Sequence, residues 1–145
     1  MEFYVSFNLG ENLNPLNKVA SGGEMSRFML AFKKILSDVD KIETMIFDEI
    51  DTGISGKTAL VVGHKLSEIA NHRQILCITH LPQIAASGDD NFSIDKEISE
   101  GKSHTVIEHL DESGKLEMLA RLISGAPDSS NALEAARELV ASVKK

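Results

Sequence analysis

Two short apolar segments, separated by the length of one helix, constrain this chain more than any other feature of its sequence. Residues 44–47 and 74–79 are apolar runs without the alternation of a half-exposed strand. This pattern is typical of strands that are covered on both faces in a parallel sheet. Residues 57–71, between them, have helical periodicity. The sequence therefore predicts a βαβ unit whose right-handed crossover makes the two strands parallel.

Polar side chains follow each of these two predicted strands. Asp48 and Glu49 come directly after the first strand, and His80 comes directly after the second. The carboxyl ends of parallel strands meet at one edge of a sheet, where ligands of open α/β folds bind. We therefore expect the two acids and the histidine to lie side by side.

The rest of the chain predicts a mixed α/β protein. Residues 3–8 have the composition of a strand, and residues 24–37 form an amphipathic helix whose apolar stripe should face the sheet. The members of that stripe are Met25, Phe28, Met29, Phe32, Ile35 and Leu36. Further along, the pattern predicts a short helix at 81–86, a hairpin of strands 92–96 and 104–109 around a turn at 99–103, a helix that stops at 125–127, and a C-terminal helix.

Composition excludes several classes of protein. The 145 residues suit one domain, and 15 basic against 22 acidic residues give a net charge of -7, which argues against a general surface for nucleic-acid phosphates. The absence of Trp and the single Tyr argue against a stacking platform for single strands. A lone cysteine, Cys77, cannot form an internal disulfide. Since neither an apolar run of membrane-spanning length nor a basic leader is found, we expect a cytoplasmic protein without a membrane partner.

A glycine pair opens the helix predicted at 24–37. Ser21 and Glu24, three residues apart, match a capping box. Gly22 and Gly23 between them favour a place where another group approaches the backbone closely. Because a helix N-terminus attracts anions, this turn is either a simple cap or a cap that also binds phosphate.

The paired acids suit metal-assisted chemistry. Neighbouring carboxylates repel each other, and a cation or a catalytic task usually justifies them. We expect Asp48 to hold Mg²⁺, directly or through water, and Glu49 to act as general base toward an attacking water. His80 could hydrogen-bond a γ-phosphate or position that water. The alternatives are two solvated loop carboxylates and a structural histidine.

Residues 53–58, GISGKT, look like a phosphate-binding P-loop but lack its spacing. That pattern requires Gly five places before the second Gly, and position 51 is Asp. We therefore interpret Ser55 or Gly56 as a helix cap. His64 and His72, on the predicted helix, are interpreted as surface residues.

The order of these motifs is recognisable. The segments KVASGGEMSR (18–27), FDEIDTGISG (47–56) and ITHLPQIAA (78–86) closely resemble the RecN family of SMC-like bacterial DNA repair ATPases. The resemblance covers nearly the whole chain, and its motifs are the signature, Walker B, D-loop and switch histidine of an ABC-type ATPase. It implies a P-loop NTPase-like α/β fold for residues 1–145: the C-terminal lobe of an ABC head, with a parallel sheet core flanked by helices.

The resemblance also implies a set of roles and partners. The Walker A half and the coiled coil are absent from these 145 residues, so the chain alone is expected to be inactive as an ATPase. In such ATPases two heads enclose ATP and Mg²⁺ between them. Ser21, Gly22, Gly23 and Glu24 would then bind the nucleotide held by a partner head, and Asp51 would lie at the dimer seam. Implied partners are the N-terminal half of the head, a second copy, and DNA at the nucleoid through the full-length protein.

Two other functions remain open at this point. One is a stand-alone metal-dependent phosphohydrolase with Asp48, Glu49 and Asp51 as metal ligands and His80 assisting. The other is an assembly module without chemistry of its own, which offers the helix of residues 24–37 to a complete head.

Overall fold

The computed structural model describes residues 2–6, 10, 12–19, 21–36, 42–99, 102–125 and 130–143. No helix within these ranges is long and apolar enough to cross a membrane. In chain order the elements are β1 (Tyr4–Val5), β2 (Asn14–Pro15), α1 (Leu16–Val19), α2 (Gly22–Ile35), β3 (Thr44–Phe47), α3 (Gly56–Ala70), β4 (Gln74–Cys77), α4 (Pro82–Ala85), β5 (Asn91–Ser99), β6 (Lys102–Leu110), α5 (Glu112–Ser124) and α6 (Ser130–Val143).

The βαβ unit predicted from the sequence is confirmed. Strands β3 and β4 are parallel, with a register that runs from Thr44 opposite Gln74 to Phe47 opposite Cys77, and α3 connects them. Strand β4 ends two residues before the predicted boundary at Thr79. The Thr79 hydroxyl instead donates a hydrogen bond to Asp51, which draws the end of the second strand toward the loop after the first.

The prediction that both faces of this sheet are covered is wrong for the described residues. Met45 and Phe47 are buried, but Ile46, between them, is 69% exposed. The buried side chains pack in one cluster with Leu30 of α2 and with the apolar face of α3. Leu76, opposite Ile46, is also exposed. Helix α3 covers only one face because a single crossover helix lies on one side of its two strands.

Helix α2 forms, but its packing differs from the predicted stripe. Its buried apolar residue is Leu30, which was not in that stripe, whereas Met29 and Ile35 are exposed. Phe28 and Phe32 contact Phe3 near β1, with ring centroids 6.0 and 6.1 Å from Phe3. Periodicity identifies an apolar face but not the element that covers it, and α2 divides its apolar residues between two neighbours. Ser37, the predicted end of the helix, lies outside the described residues.

The predicted hairpin is present and longer than expected. Strands β5 and β6 are each nine residues long and antiparallel, with Phe92 opposite His109 and Ile94 opposite Ile107. Both isoleucines are more than half exposed. Residues 100–101 of the predicted turn, like residues 7–8 of the predicted first strand, lie outside the described residues.

The two C-terminal helices form a second core. Asp111 caps α5 by accepting a hydrogen bond from the Gly114 amide at 2.7 Å. Gly125 ends the helix in the left-handed conformation, with φ 72, as predicted; Pro127 lies outside the described residues. Helices α5 and α6 bury Leu119 and three alanines against two alanines at the end of α4: Ala120, Ala132 and Ala136 against Ala85 and Ala86.

Candidate functional site

The parallel pairing of β3 and β4 determines where the predicted site residues lie. Asp48 and Glu49 follow β3, and His80 follows β4 after Ile78 and Thr79. The three residues therefore lie at one edge of the sheet, and all three are exposed. The contact that joins the two loops at this edge is made by Asp51.

Asp51 is buried, and one of its oxygens accepts two hydrogen bonds and lies close to the His80 ring. Its side chain is 3% exposed. Oδ2 accepts from the Thr79 hydroxyl at 2.6 Å, from the His80 amide at 2.8 Å, and lies 3.0 Å from His80 Nδ1. Burial on its own raises the pKa of this carboxyl, but the hydrogen bonds from Thr79 and His80 and the charge of a protonated His80 outweigh it and hold the pKa below its ordinary value. Asp51 is therefore an anionic acceptor that ties one loop to the other.

This position differs from the one expected of a residue at a dimer seam. The Asp51 carboxylate is engaged by its own chain and leaves almost no surface for a partner. The exposed members of the same loop are Thr52, Gly53 and Ser55. A dimer seam at this loop stays a prediction.

Glu49 has an unusual backbone conformation. Its φ is 56, a left-handed value that is uncommon outside glycine and costs on the order of 1–3 kcal/mol. The Glu49 amide donates to Asp48 Oδ1 at 2.9 Å, which ties the neighbouring acid to this turn. The Asp48 carboxylate offers the oxygen atoms that Mg²⁺ prefers as ligands, and its role as a magnesium ligand stays a prediction.

The N-terminus of α2 contains the predicted capping box. The Ser21 hydroxyl accepts from the Glu24 amide at 3.3 Å, and the Glu24 carboxylate accepts from the Ser21 amide at 2.8 Å. The hydrogen bond from the Ser21 amide is the main reason that the pKa of Glu24 is lowered. The cap is thus confirmed, and phosphate binding at this turn stays a prediction.

The two glycines of this turn are explained by the approach of the acidic loop. A Cβ at Gly23 would lie 2.6 Å from the Thr52 carbonyl oxygen, and a Cβ at Gly22 would lie 2.6 Å from Glu49 Oε2. Both distances are shorter than a carbon side chain tolerates. The sequence indicated a close approach here, and the structure identifies the approaching groups as parts of the same chain.

Sequence reasoning missed the side chains that join α2 to the acidic loop. Ser26 donates to the Asp48 carbonyl at 2.9 Å. Arg27 donates through Nη1 to the carbonyls of Ile50 at 3.0 Å and Thr52 at 2.8 Å. The sequence pattern places Thr79 in a strand and does not identify it as the partner of Asp51. Their partners are backbone carbonyls or a distant carboxylate, and no spacing in the sequence signals such contacts.

The remaining candidates have structural surroundings. His64 and His72 are exposed on and after α3, as predicted. Burial, with the negative charges of Asp51 and Asp48, raises the pKa of the Cys77 thiol to about 12, so this thiol is protonated and unreactive at neutral pH. Across the described ranges, no group of three or more His, Cys, Asp or Glu residues is arranged to hold a metal ion.

Comparison with known proteins relates nearly the whole chain to one kind of repair protein. No protein-family model matches it. It is 44% identical over 140 residues to the DNA repair protein RecN of Treponema pallidum, covering 97% of this chain and 24% of that protein. Identity to RecN of Haemophilus influenzae is 44% over 138 residues, and to RecN of Bacillus subtilis 41% over 140 residues. The chain thus spans about a quarter of the length of these curated relatives.

A solved structure confirms the predicted fold class. It comes from work described as structural biochemistry of ATP-driven dimerization and DNA-stimulated activation of SMC ATPases. The TM-score is 0.54 at 21% identity, over 79% of this chain and 68% of that one. The fold is therefore the mixed α/β fold of such an ATPase lobe, with the parallel β3–β4 pair packed on one face against α2 and α3.

Proposed function

Because this chain is 41% to 44% identical to part of three RecN proteins, we propose that residues 1–145 form the C-terminal lobe of the ATPase head of a RecN-type protein. That protein would act in DNA double-strand break repair and recombination, in the cytoplasm at the nucleoid. The observation that carries the proposal is the parallel register of β3 and β4. This register places two acids and a histidine at one sheet edge, next to the glycine turn that opens α2.

The residues at this edge divide the chemistry between them. Asp48 would hold Mg²⁺, which neutralises phosphate charge when it is bound. Glu49 would accept a proton from the attacking water as general base. His80, whose side chain is 71% exposed, would orient that water or contact the γ-phosphate. The α2 turn formed by Ser21, Gly22, Gly23 and Glu24 would bind the γ-phosphate of an ATP held by a second head.

An exposed apolar surface supports a partner for this lobe. Ile46 is 69% exposed, Leu76 47% and Ile78 54%, and Ile46 and Leu76 lie opposite each other on the uncovered face of β3 and β4. The partner we propose for this face is the Walker A-bearing N-terminal half of the same head. A homodimer of complete heads, with ATP between them, and DNA contact through the full-length protein would follow. Without Walker A, the 145 residues alone would be inactive.

The geometry does not favour a stand-alone phosphohydrolase. That alternative needs Asp48, Glu49 and Asp51 around one metal ion. The Asp51 carboxylate instead faces Thr79 and His80, and Glu49 approaches Gly22.

The proposal is tested by measuring ATP turnover with Mg²⁺ for this chain alone and after mixing with a Walker A-bearing N-terminal half of a RecN protein. The matched variant is Glu49→Gln, which keeps the size of the side chain and removes its basicity. We expect turnover only in the mixture, falling at least about 100-fold in the variant, the lower range for loss of general base catalysis.

Two outcomes would contradict the proposal. Turnover by the chain alone that depends on Glu49 would support the phosphohydrolase. No turnover in a mixture whose halves demonstrably associate would support a non-catalytic assembly module.

A further inference from the structure

Asp51 is the one charged or polar side chain that is buried within the described residues, and the proposed function gives it neither metal binding nor proton transfer. It is three residues from Asp48 and lies below the exposed loop. A buried charge is costly unless hydrogen bonds compensate it. Here most of the compensation comes from two consecutive residues at the end of the neighbouring strand, Thr79 and His80.

We infer that Asp51 is a positioning residue for His80, which fixes the orientation of the imidazole and keeps the proton of the neutral ring on Nδ1. The inference rests on the proposed function for the role of His80 itself. Its evidence is the Nδ1 to Oδ2 distance of 3.0 Å, together with the hydrogen bond from the His80 amide to the same oxygen at 2.8 Å. Side chain and backbone of one residue are thus held by one carboxylate oxygen.

The proton assignment follows from the charge of the acceptor. An ionised carboxylate offers no proton, so the nitrogen that faces it must be the donor. In neutral histidine one ring nitrogen is the donor and the other the acceptor. Nε2 is therefore left with its lone pair, directed away from Asp51.

The position of the proton distinguishes between the two roles predicted for His80, which are orienting water and contacting the γ-phosphate. A neutral ring with a lone pair on Nε2 accepts a hydrogen bond from water and so orients a nucleophile. Contact with a phosphate oxygen would need a donor at Nε2, and hence the doubly protonated ring. Asp51 thus favours the water-orienting role whenever His80 is neutral.

Exposure explains why a positioning group is needed. The His80 side chain is 71% exposed, so packing does little to restrict its rotamer, while the carboxylate that holds it is buried and hydrogen-bonded to Thr79. A second histidine of this chain shows the contrast. His109 lies 3.0 Å from Asp90, but through Nε2, and both side chains are more than half exposed.

The test is a long-range ¹H–¹⁵N NMR spectrum of the histidine rings of the 145-residue chain, recorded about two pH units above the ordinary imidazole pKa of about 6.5. The spectrum distinguishes the two neutral tautomers for each ring. The variants are Asp51→Asn, which removes the charge at nearly constant size, and Thr79→Val, which removes a hydrogen bond to the same carboxylate but leaves its charge. His109 in Asp90→Asn is the matched control for loss of an exposed carboxylate.

We expect wild-type His80 to be the Nδ1–H tautomer, to stay so in Thr79→Val, and to lose at least half of that population in Asp51→Asn. His109 should respond to Asp90→Asn alone. An Nε2–H tautomer for His80 in the wild type would overturn the inference, and this measurement needs no variant to fold. An equal response of His80 to Thr79→Val and Asp51→Asn would also overturn it, because that result indicates a merely structural carboxylate.

The NMR experiment and the ATPase assay test the two proposals separately, so either proposal can be wrong while the other stands. If His80 has the expected tautomer but the ATP turnover of the mixture is unchanged by Glu49→Gln, the proposed function is wrong and the positioning role of Asp51 stands. If turnover depends on Glu49 but His80 is the Nε2–H tautomer, the positioning role of Asp51 is wrong and the proposed function stands.

Discussion

At the scale of single residues, the two glycines before α2 are distinguished by what approaches them. Gly22 faces the end of a flexible side chain, Glu49, whereas Gly23 faces the Thr52 carbonyl oxygen at 2.6 Å from an added Cβ, with the Thr52 Cβ at 2.9 Å. A carboxylate can rotate away. A backbone carbonyl held by Arg27 cannot move without its loop.

We therefore predict that Gly23→Ala destabilises the chain by about 1–3 kcal/mol, the usual cost of overpacking. Gly22→Ala is the matched control because it gains the same helix propensity. The clash of its added Cβ with the Glu49 carboxylate is relieved when that side chain rotates. The free energy of unfolding of this variant in urea should stay within about 1 kcal/mol of the wild type. Equal losses in the two variants would show that the approach of Thr52 is not the constraint.

At the scale of elements, β3 shows how much of this fold the sequence carries. The apolar runs and the helix between them were sufficient to predict a parallel pair, and hence the common edge for Asp48, Glu49 and His80. The same apolar runs predicted burial of both faces of the sheet, and this was wrong for the described residues. A continuous apolar run indicates that both faces of a strand avoid water but does not indicate which element covers each face. Ile46 has no covering element among the described residues.

The same limit applies to α2 and to the site. Spacing predicted an amphipathic helix and its capping box, because both depend on residues a turn apart. It did not predict that Leu30 enters the core, or that Asp51 faces Thr79 and His80, because these contacts join residues distant along the chain. Long-range partners of backbone carbonyls leave no periodic signal.

Because only one face of β3 is covered, truncation of a buried residue should cost much more stability than truncation of its exposed neighbour. Phe47→Ala should cost about 3–5 kcal/mol, since it leaves a cavity in the core. Ile46→Ala, at 69% exposure, should change the stability of the isolated chain by no more than about 0.5 kcal/mol. Thermal unfolding of the two variants checks this. If Phe47→Ala does not fold, Phe47→Leu replaces it, and a cost no larger than that of Ile46→Ala would contradict the one-sided core.

At the scale of the whole molecule, the anionic state of Asp51 links folding to pH. Its pKa in the folded chain lies below the ordinary value, so at acid pH the unfolded state binds the proton more readily. The resulting stabilisation is present above the ordinary carboxyl pKa of about 3.9 and is lost as the pH falls through the lower pKa of the folded state.

We predict that the wild type is more stable than Asp51→Asn at pH 7, and that the difference shrinks as the pH falls below about 4. Urea unfolding of both proteins from pH 7 to pH 3 measures it. Asp90→Asn, whose native carboxylate is 74% exposed, reports the effect of removing a surface charge over the same range. A difference between wild type and Asp51→Asn that is constant with pH would contradict the linkage.

The hydrogen bonds from α2 to the acidic loop have a mechanical consequence. Ser26 and Arg27 hold the carbonyls of Asp48, Ile50 and Thr52, so three alternate peptide groups of the loop are attached to the first turns of one helix. A rotation of α2 that preserves these bonds must carry the loop with it. Through Asp51, the displacement reaches the end of β4 and the ring of His80. A displacement of the glycine turn is therefore expected to move the acidic loop and, through Asp51, His80 as well.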